Sequence, residues 1–232
     1  MIKNLLLLAM PLLLLAVFAR ADDPGGSPVE AKQKKETKQE KEIAKVREAF
    51  VAVRAAVIAG DGESFARLVT RDSVRLYGVI RDLAVHADQK ELQGVEGTVR
   101  MTVLSLRLRV PRDVLLQRDP RVLIAYAAEN DMIFSDEIEQ TKIGEVFVKE
   151  REALVAISAE GQPARGFFIF RNERGWKLDL EILVGSSRGM IDAMAREREV
   201  SEQTIILELL SEAVGKPVGM EVWQPIEARR PK

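Results

Sequence analysis

Asp82 and His86 stand four residues apart, the spacing that brings two side chains together on one face of a helix. A carboxylate that orients an imidazole makes a general base, and Tyr77 lies nearby as a proton donor. The competing reading is an exposed ion pair on a helix. No nucleophile or oxyanion signature accompanies the pair, so the ion pair is favoured. Asp131, Asp136, Glu137 and Glu139 supply oxygen ligands of the kind calcium takes. Their spacing does not follow D-x-[DN]-x-[DN]-G, and they read as a solvated acidic loop. Gly60-Asp61-Gly62 and Val184-Gly-Ser-Ser-Arg-Gly189 contain neither GxGxxG nor GxxxxGK[ST], which argues against a phosphate cradle. Ser186 and Ser187 lack a GxSxG elbow. Phe167, Phe168, Phe170 and Trp176 gather aromatics in adjacent strand-like runs, either to stack a ligand or to fill one buried face. Tyr77, Phe168 and Trp176 are therefore the candidate ligand-binding residues. No catalytic residue, metal ligand or cofactor is assigned.

The elements that must position these residues belong to a chain of 232 residues with 35 Lys+Arg, 36 Asp+Glu, one His and no Cys. An apolar content of 47% over this length is enough for one sizeable core. The missing cysteines exclude disulfides, thiolate metal sites and thiol nucleophiles. A single His excludes HExxH-type sites. A net charge of −1 argues against nucleic acid as a partner, because binding a phosphate backbone needs a basic excess.

Residues 1–21 have the three regions of a secretory signal peptide: a basic start at Lys3, an apolar run from Leu5 to Ala19, and small residues at Ala19 and Ala21. Fifteen apolar residues interrupted by Pro11 fall short of the roughly 20 that span a bilayer. Export to the periplasm or beyond is expected, with cleavage before Asp22 and no transmembrane anchor after processing. Residues 22–42 read as a charged linker or frayed helix, since AKQKKETKQEKE offers almost nothing to bury.

At Ile43 the pattern changes. Ile43, Val46, Phe50, Val53 and Val57 form one helical stripe ending near Gly60, and Asp61 is placed to cap a second helix. Residues 72–90 read as a third helix, capped by Asp72 or Ser73, with Val74, Tyr77, Ile80, Ala84 and Ala87 inward. Residues 98–109 fit a strand by alternation and a helix by spacing. Length and the following Pro111 favour the helix. Asp119-Pro120 is a cap followed by proline at the first helical position. Four strands then follow at 143–148, 153–158, 164–170 and 176–184, with connections short enough for an antiparallel meander. In the last strand Trp176, Leu178, Leu180 and Ile182 alternate with Lys177, Asp179 and Glu181, which fixes the buried face. One helical stretch, 191–214, and a tail anchored by Trp223 complete the chain.

The fold class expected is α+β: N-terminal helices, a curved antiparallel meander, and a C-terminal helical extension. Two passages carry a family resemblance. Val57-Ile-Ala-Gly-Asp-Gly-Glu-Ser-Phe-Ala-Arg-Leu-Val69 looks like the helix, Ala-Gly-Asp, short-helix entry of the nuclear-transport-factor-2-like superfamily, which includes ketosteroid isomerases and polyketide-cyclase-like proteins. Gly166-Phe-Phe-Ile-Phe-Arg-Asn-Glu-Arg-Gly-Trp-Lys-Leu-Asp179 is similar to its closing hairpin. The resemblance implies a cone-like domain over 43–184, with a pocket between sheet and helices. The chain departs from that pattern in a helical insertion at about 90–130 and in the extension at 185–232, either of which can cover the pocket. Because the superfamily hosts enzymes, binding modules and assembly domains, fold does not transfer function. The reading favoured is an exported non-enzymatic domain that binds a small apolar ligand or a protein partner in the envelope. The alternatives are an acid–base enzyme of the isomerase or cyclase kind, using Tyr77, Asp82 and His86, and self-association through the sheet face into a homo-oligomer.

Overall fold

The computed structural model describes residues 28–133, 138, 141–159, 164–181, 184 and 189–228, with residues 28–37, 159, 164–165 and 228 described by backbone alone. The expected signal peptide and the start of the linker lie outside these residues.

Helix α1 (Pro28–Ile58) takes in the charged run without a break. Its buried residues Val46, Phe50 and Val53 are three of the five in the expected stripe, and Ala56 joins them. Gly60 turns the chain at a φ of 62°, a conformation that glycine adopts without a side-chain clash. Asp61 accepts the backbone N–H of Ser64 and starts α2 (Gly62–Leu68). Helix α3 (Arg71–His86) is capped by Thr70 rather than Asp72 or Ser73. The difference has a clear cause. Ser73 is itself buried, and its hydroxyl bonds Thr70 and accepts the Leu180 N–H. The ambiguous stretch is helical, as α5 (Gly97–Arg109), after the short α4 (Gln89–Gln93). Pro111 stands just before α6 (Arg112–Leu115) without a capping bond, and Asp119 caps α7 (Pro120–Glu129) with Pro120 in the first turn.

The sheet is a four-stranded antiparallel meander in the order β1 (Thr141–Lys149), β2 (Glu152–Ala159), β3 (Ala164–Asn172), β4 (Trp176–Asp179). Its inner face holds Val146, Ala153, Val155, Phe168, Phe170, Trp176 and Leu178, all buried. Helix α1 lies on that face: the Phe50 and Phe168 rings are 5.9 Å apart, and Trp176 Nε1 donates to Glu42 at 3.0 Å.

Two expectations need correction. The last strand stops at Asp179 rather than Val184, and Asp179 is 2% exposed instead of facing solvent. Arg171 Nε donates to its carboxylate at 2.5 Å, and the Glu181 N–H donates to it at 2.9 Å. The Glu181 N–H, next in line to face β3, is turned to the Asp179 side chain, and the Leu180 N–H on the other edge goes to Ser73, so the chain leaves the ladder after Asp179. Leu180 is nevertheless fully buried, as the alternation requires. Ile182 lies outside the described residues. The C-terminal helix is two helices, α8 (Met190–Glu197) and α9 (Glu202–Val214). Glu199 takes a φ of 53° between them, and Ser201 caps the second by accepting Thr204 N–H. Trp223 is buried as expected.

Two buried arginines bind this tail to the helical layer. Arg107, 4% exposed, donates to the carbonyls of Leu83, Ala84 and Ala87 at the end of α3 and to those of Val222 and Trp223. Arg100 donates to Leu92, Gln93 and Val95 carbonyls and pairs with Glu202 of α9 at 3.0 Å. A guanidinium has five donors in a fixed plane, which suits it to collecting several carbonyls at once.

Candidate partner-binding face

The sequence points first to Tyr77, Asp82 and His86, and the fold does not assemble them. Tyr77 is buried in the helical layer, where burial pushes its phenol up to about 12. Asp82 accepts from the guanidinium of its neighbour Arg81, with Nε at 3.0 Å. His86 Nδ1 lies 3.1 Å from Glu227 of the tail, with both side chains more than half exposed. The expected Asp82–His86 contact is thus replaced on both sides. Arg81 is anchored by the Gln117 and Arg118 carbonyls and presents its edge to Asp82. The tail reaches His86 because Arg107 holds it against the end of α3.

Tyr77, Phe168 and Trp176 are each 6% exposed. Phe168 and Trp176 share the inner sheet face, against Phe50 and Glu42 of α1. Tyr77 sits on α3, which packs on α5 and α7. Of the acidic cluster, Asp131 is described, in a turn at a φ of 51°; Asp136, Glu137 and Glu139 lie outside the described residues. Among the described residues no three His, Asp or Glu side chains come together to hold a metal ion. No described helix is long and apolar enough to cross a membrane.

The outer face of the sheet has a different character. Alternation that buries Phe168 and Phe170 turns Phe167 and Ile169 outward. Pairing aligns outward residues in rows. Phe147, Leu154 and Ile169 make one row across three strands, followed on β4 by Asp179; Ala156 and Phe167 make the next. Phe147 is 56% exposed and Phe167 43%, while Leu154, Ala156 and Ile169 are half-buried between them. Lys149, Glu152, Arg171 and Lys177 form the row at the hairpin end. There an open basin of about 490 Å³ is lined by Arg71, Arg151, Arg171 and Glu173 among others. At the opposite end β1 carries a bulge between Ile143 and Val146, which sets Gly144 and the exposed Glu145 against Ala156.

Hydrogen bonds tie the β4 border to β3 through the Arg171–Asp179 pair and to α3 through Ser73, whose hydroxyl accepts the Leu180 N–H. Hydrogen bonding to Asp179 raises the Arg171 guanidinium still further above the physiological range. Burial, and then the nearby Asp179 and Asp72 carboxylates, push Glu181 up from the usual carboxylate range. The β4 border is thus covered and fixed, and the exposed apolar rows belong to β1, β2 and β3. The sequence groups Phe167 with Phe168, Phe170 and Trp176; the signal that separates it from Phe168 is its odd position in the period of two. Neither a family model, a curated protein nor a solved structure matches this chain.

Proposed function

We propose that this chain is an exported, non-enzymatic domain that holds a protein partner in the cell envelope across the outer face of its sheet. The observation that carries this reading is the pair of exposed phenylalanines, Phe147 and Phe167, at the centre of an apolar patch on β1, β2 and β3. Exposed aromatic side chains grouped in one patch and rimmed by charge mark interaction surfaces. The basic, apolar and small-residue pattern of residues 1–21 supports export.

The cone-like form implied by the family resemblance would put a ligand pocket on the inner face. Helix α1 occupies that side, and the Phe50–Phe168 contact favours a protein partner over a small apolar ligand. The acid–base alternative draws no support from Tyr77, Asp82 and His86, whose partners lie elsewhere.

Position-specific photo-crosslinking tests the reading. A photoreactive phenylalanine analogue at Phe147 or Phe167, in the exported protein in living cells, should form a discrete adduct. The same analogue at Val79, which is 54% exposed on α3, should not. Equal labelling from all three positions, or none from the sheet, would remove the proposal.

A further inference from the structure

We propose that the basin at the hairpin end of the sheet binds a phosphorylated polyol, with the phosphoryl group on its arginines and a hydroxyl on its free carboxylate. The site is separate from the apolar rows and does not depend on what covers them.

Three elements build the basin. Glu150 and Arg151 form the turn between β1 and β2, with Glu150 at a φ of 53°. The Asn172 N–H donates to the Arg151 carbonyl at 2.8 Å, which ties this turn to the end of β3. Arg71 opens α3, and its backbone N–H and Nε both donate to Glu173, just beyond β3, at 3.1 and 3.3 Å. Arg171 comes from β3 itself, with Nε fixed on Asp179 and Nη1 3.4 Å from Glu152. Backbone bonds and ion pairs thus hold three guanidinium groups around about 490 Å³ of open space, within the size range of small-molecule sites.

The groups left uncommitted set the ligand. Arg71 and Arg171 each spend Nε on a carboxylate. Neither Nη of Arg71 nor Nη2 of Arg171 has a partner among the described residues, and Arg151 has none for its whole side chain. Three planar donor edges around one space match the several oxygens of a phosphoryl group. Of the carboxylates in the wall, Glu152 and Glu173 answer arginines, while Glu150 has no partner among the described residues. A bare anion would be repelled by Glu150. A hydroxyl donates to it, so a ligand that carries a phosphoryl group beside hydroxyls satisfies both kinds of group. Four cationic side chains against three acidic ones leave one charge in favour of an anion. The space is also wider than a phosphoryl group alone would fill. Arg71, Glu150, Arg151 and Arg171 are all exposed, so each contact is weak and binding is expected at about 1 mM.

Amide NMR of the isotope-labelled exported chain tests the site, with glycerol phosphate, inorganic phosphate or glycerol added to about 20 mM at constant ionic strength. Glycerol phosphate should move the Arg71, Arg151 and Asn172 signals along saturable curves, about threefold or more tighter than inorganic phosphate. Glycerol alone should move nothing. Arg151→Gln should weaken both phosphates about threefold or more at unchanged melting temperature, as the loss of an exposed charge contact would. Glu150→Gln should bring glycerol phosphate down toward the inorganic value while inorganic phosphate binds as well or better. Arg109→Gln should change neither. Co-sedimentation with phosphatidylglycerol vesicles separates the sources of the ligand. Vesicle binding that Arg151→Gln abolishes and soluble glycerol phosphate competes away assigns a lipid headgroup; saturable binding of glycerol phosphate without vesicle binding assigns a free polyol phosphate. Shifts that do not saturate, or that Arg151→Gln leaves untouched, would overturn the site. Glycerol phosphate no tighter than inorganic phosphate would mean an adventitious ion only, and would overturn the proposal as well.

Discussion

Replacing Arg107 by Met should detach the C-terminal tail and cost the domain a large share of its stability. Methionine keeps the apolar stem and removes the donors. The Leu83 carbonyl still receives the Ala87 N–H, so it stays satisfied. The Ala84 and Ala87 carbonyls lose the guanidinium beneath the packed end of α3, at about 1–3 kcal/mol for each buried acceptor left unpaired. The Val222 and Trp223 carbonyls can regain water only if the tail lifts, which exposes Val222, Trp223 and Ile226, all buried. The sum is roughly 3–5 kcal/mol, the range for losing one member of a buried charged network. In a chain of this size that corresponds to a fall in melting temperature of about 10 °C. Urea and thermal unfolding followed by circular dichroism read the loss, and limited proteolysis should show cleavage beyond Val214. Arg107→Lys should recover less than half, since one ammonium cannot span both α3 and the tail. Arg109→Met, which removes a single exposed bond to the Asn130 carbonyl, is the control and should cost under about 0.5 kcal/mol. A loss below about 1 kcal/mol for Arg107→Met would refute the reasoning, because unpaired buried carbonyls cannot be that cheap.

Burial raises the Glu96 carboxyl, but N–H donors from Thr98, Val99 and Gly189 outweigh it and hold the group below the usual carboxylate range. A depressed native value adds stability above the unfolded pKa and loses it as pH falls through the native one; the gap between wild type and Glu96→Gln should therefore close below about pH 4 in acid unfolding curves. In a Tyr126→Phe variant, the tyrosinate absorbance of Tyr77 should emerge only near pH 12, because burial disfavours the anion; stability tied to this raised value is present below about pH 10 and lost above it. Leu180→Ala should cost about 2–5 kcal/mol by chemical denaturation, since the side chain is fully buried. His86→Ala should stay within about 0.5 kcal/mol of wild type by the same measurement, as its contact with Glu227 is exposed on both sides.

Local signals in the sequence were faithful where the partner of a residue lies close in the chain. The Asp61 and Asp119 caps and the pairing of consecutive strands rest on contacts within a turn or across a short hairpin, and the stripe through Val46, Phe50 and Val53 follows from helical spacing whatever it packs against. The errors fall where a distant group intervenes. Alternation put Asp179 in water, but Arg171 and the start of α3 enclose it. Spacing paired Asp82 with His86, but Arg81 and Glu227 take them instead. Arg100 and Arg107 look like ordinary helix-surface charges until the tail, more than a hundred residues on, closes over them. The break between α8 and α9 was readable in Ser201, whose hydroxyl caps Thr204 N–H, yet the apolar stripe on either side masked it. The outer-face patch follows from the period of two once the inward set is fixed. What hid it was composition, since four aromatics in adjacent strands suggest one cluster rather than two faces.

Hydroxyl-radical footprinting of Phe147 and Phe167, in the purified chain at low concentration and in intact cells, tests the docking face most directly. Both rings should be oxidised readily in the dilute protein and protected several-fold in cells, while Met220, 41% exposed in the tail, reacts alike in the two settings. Equal oxidation of Phe147 and Phe167 in cells and in dilute solution would mean that nothing covers the sheet, and the account of this protein as a partner-binding domain would be contradicted.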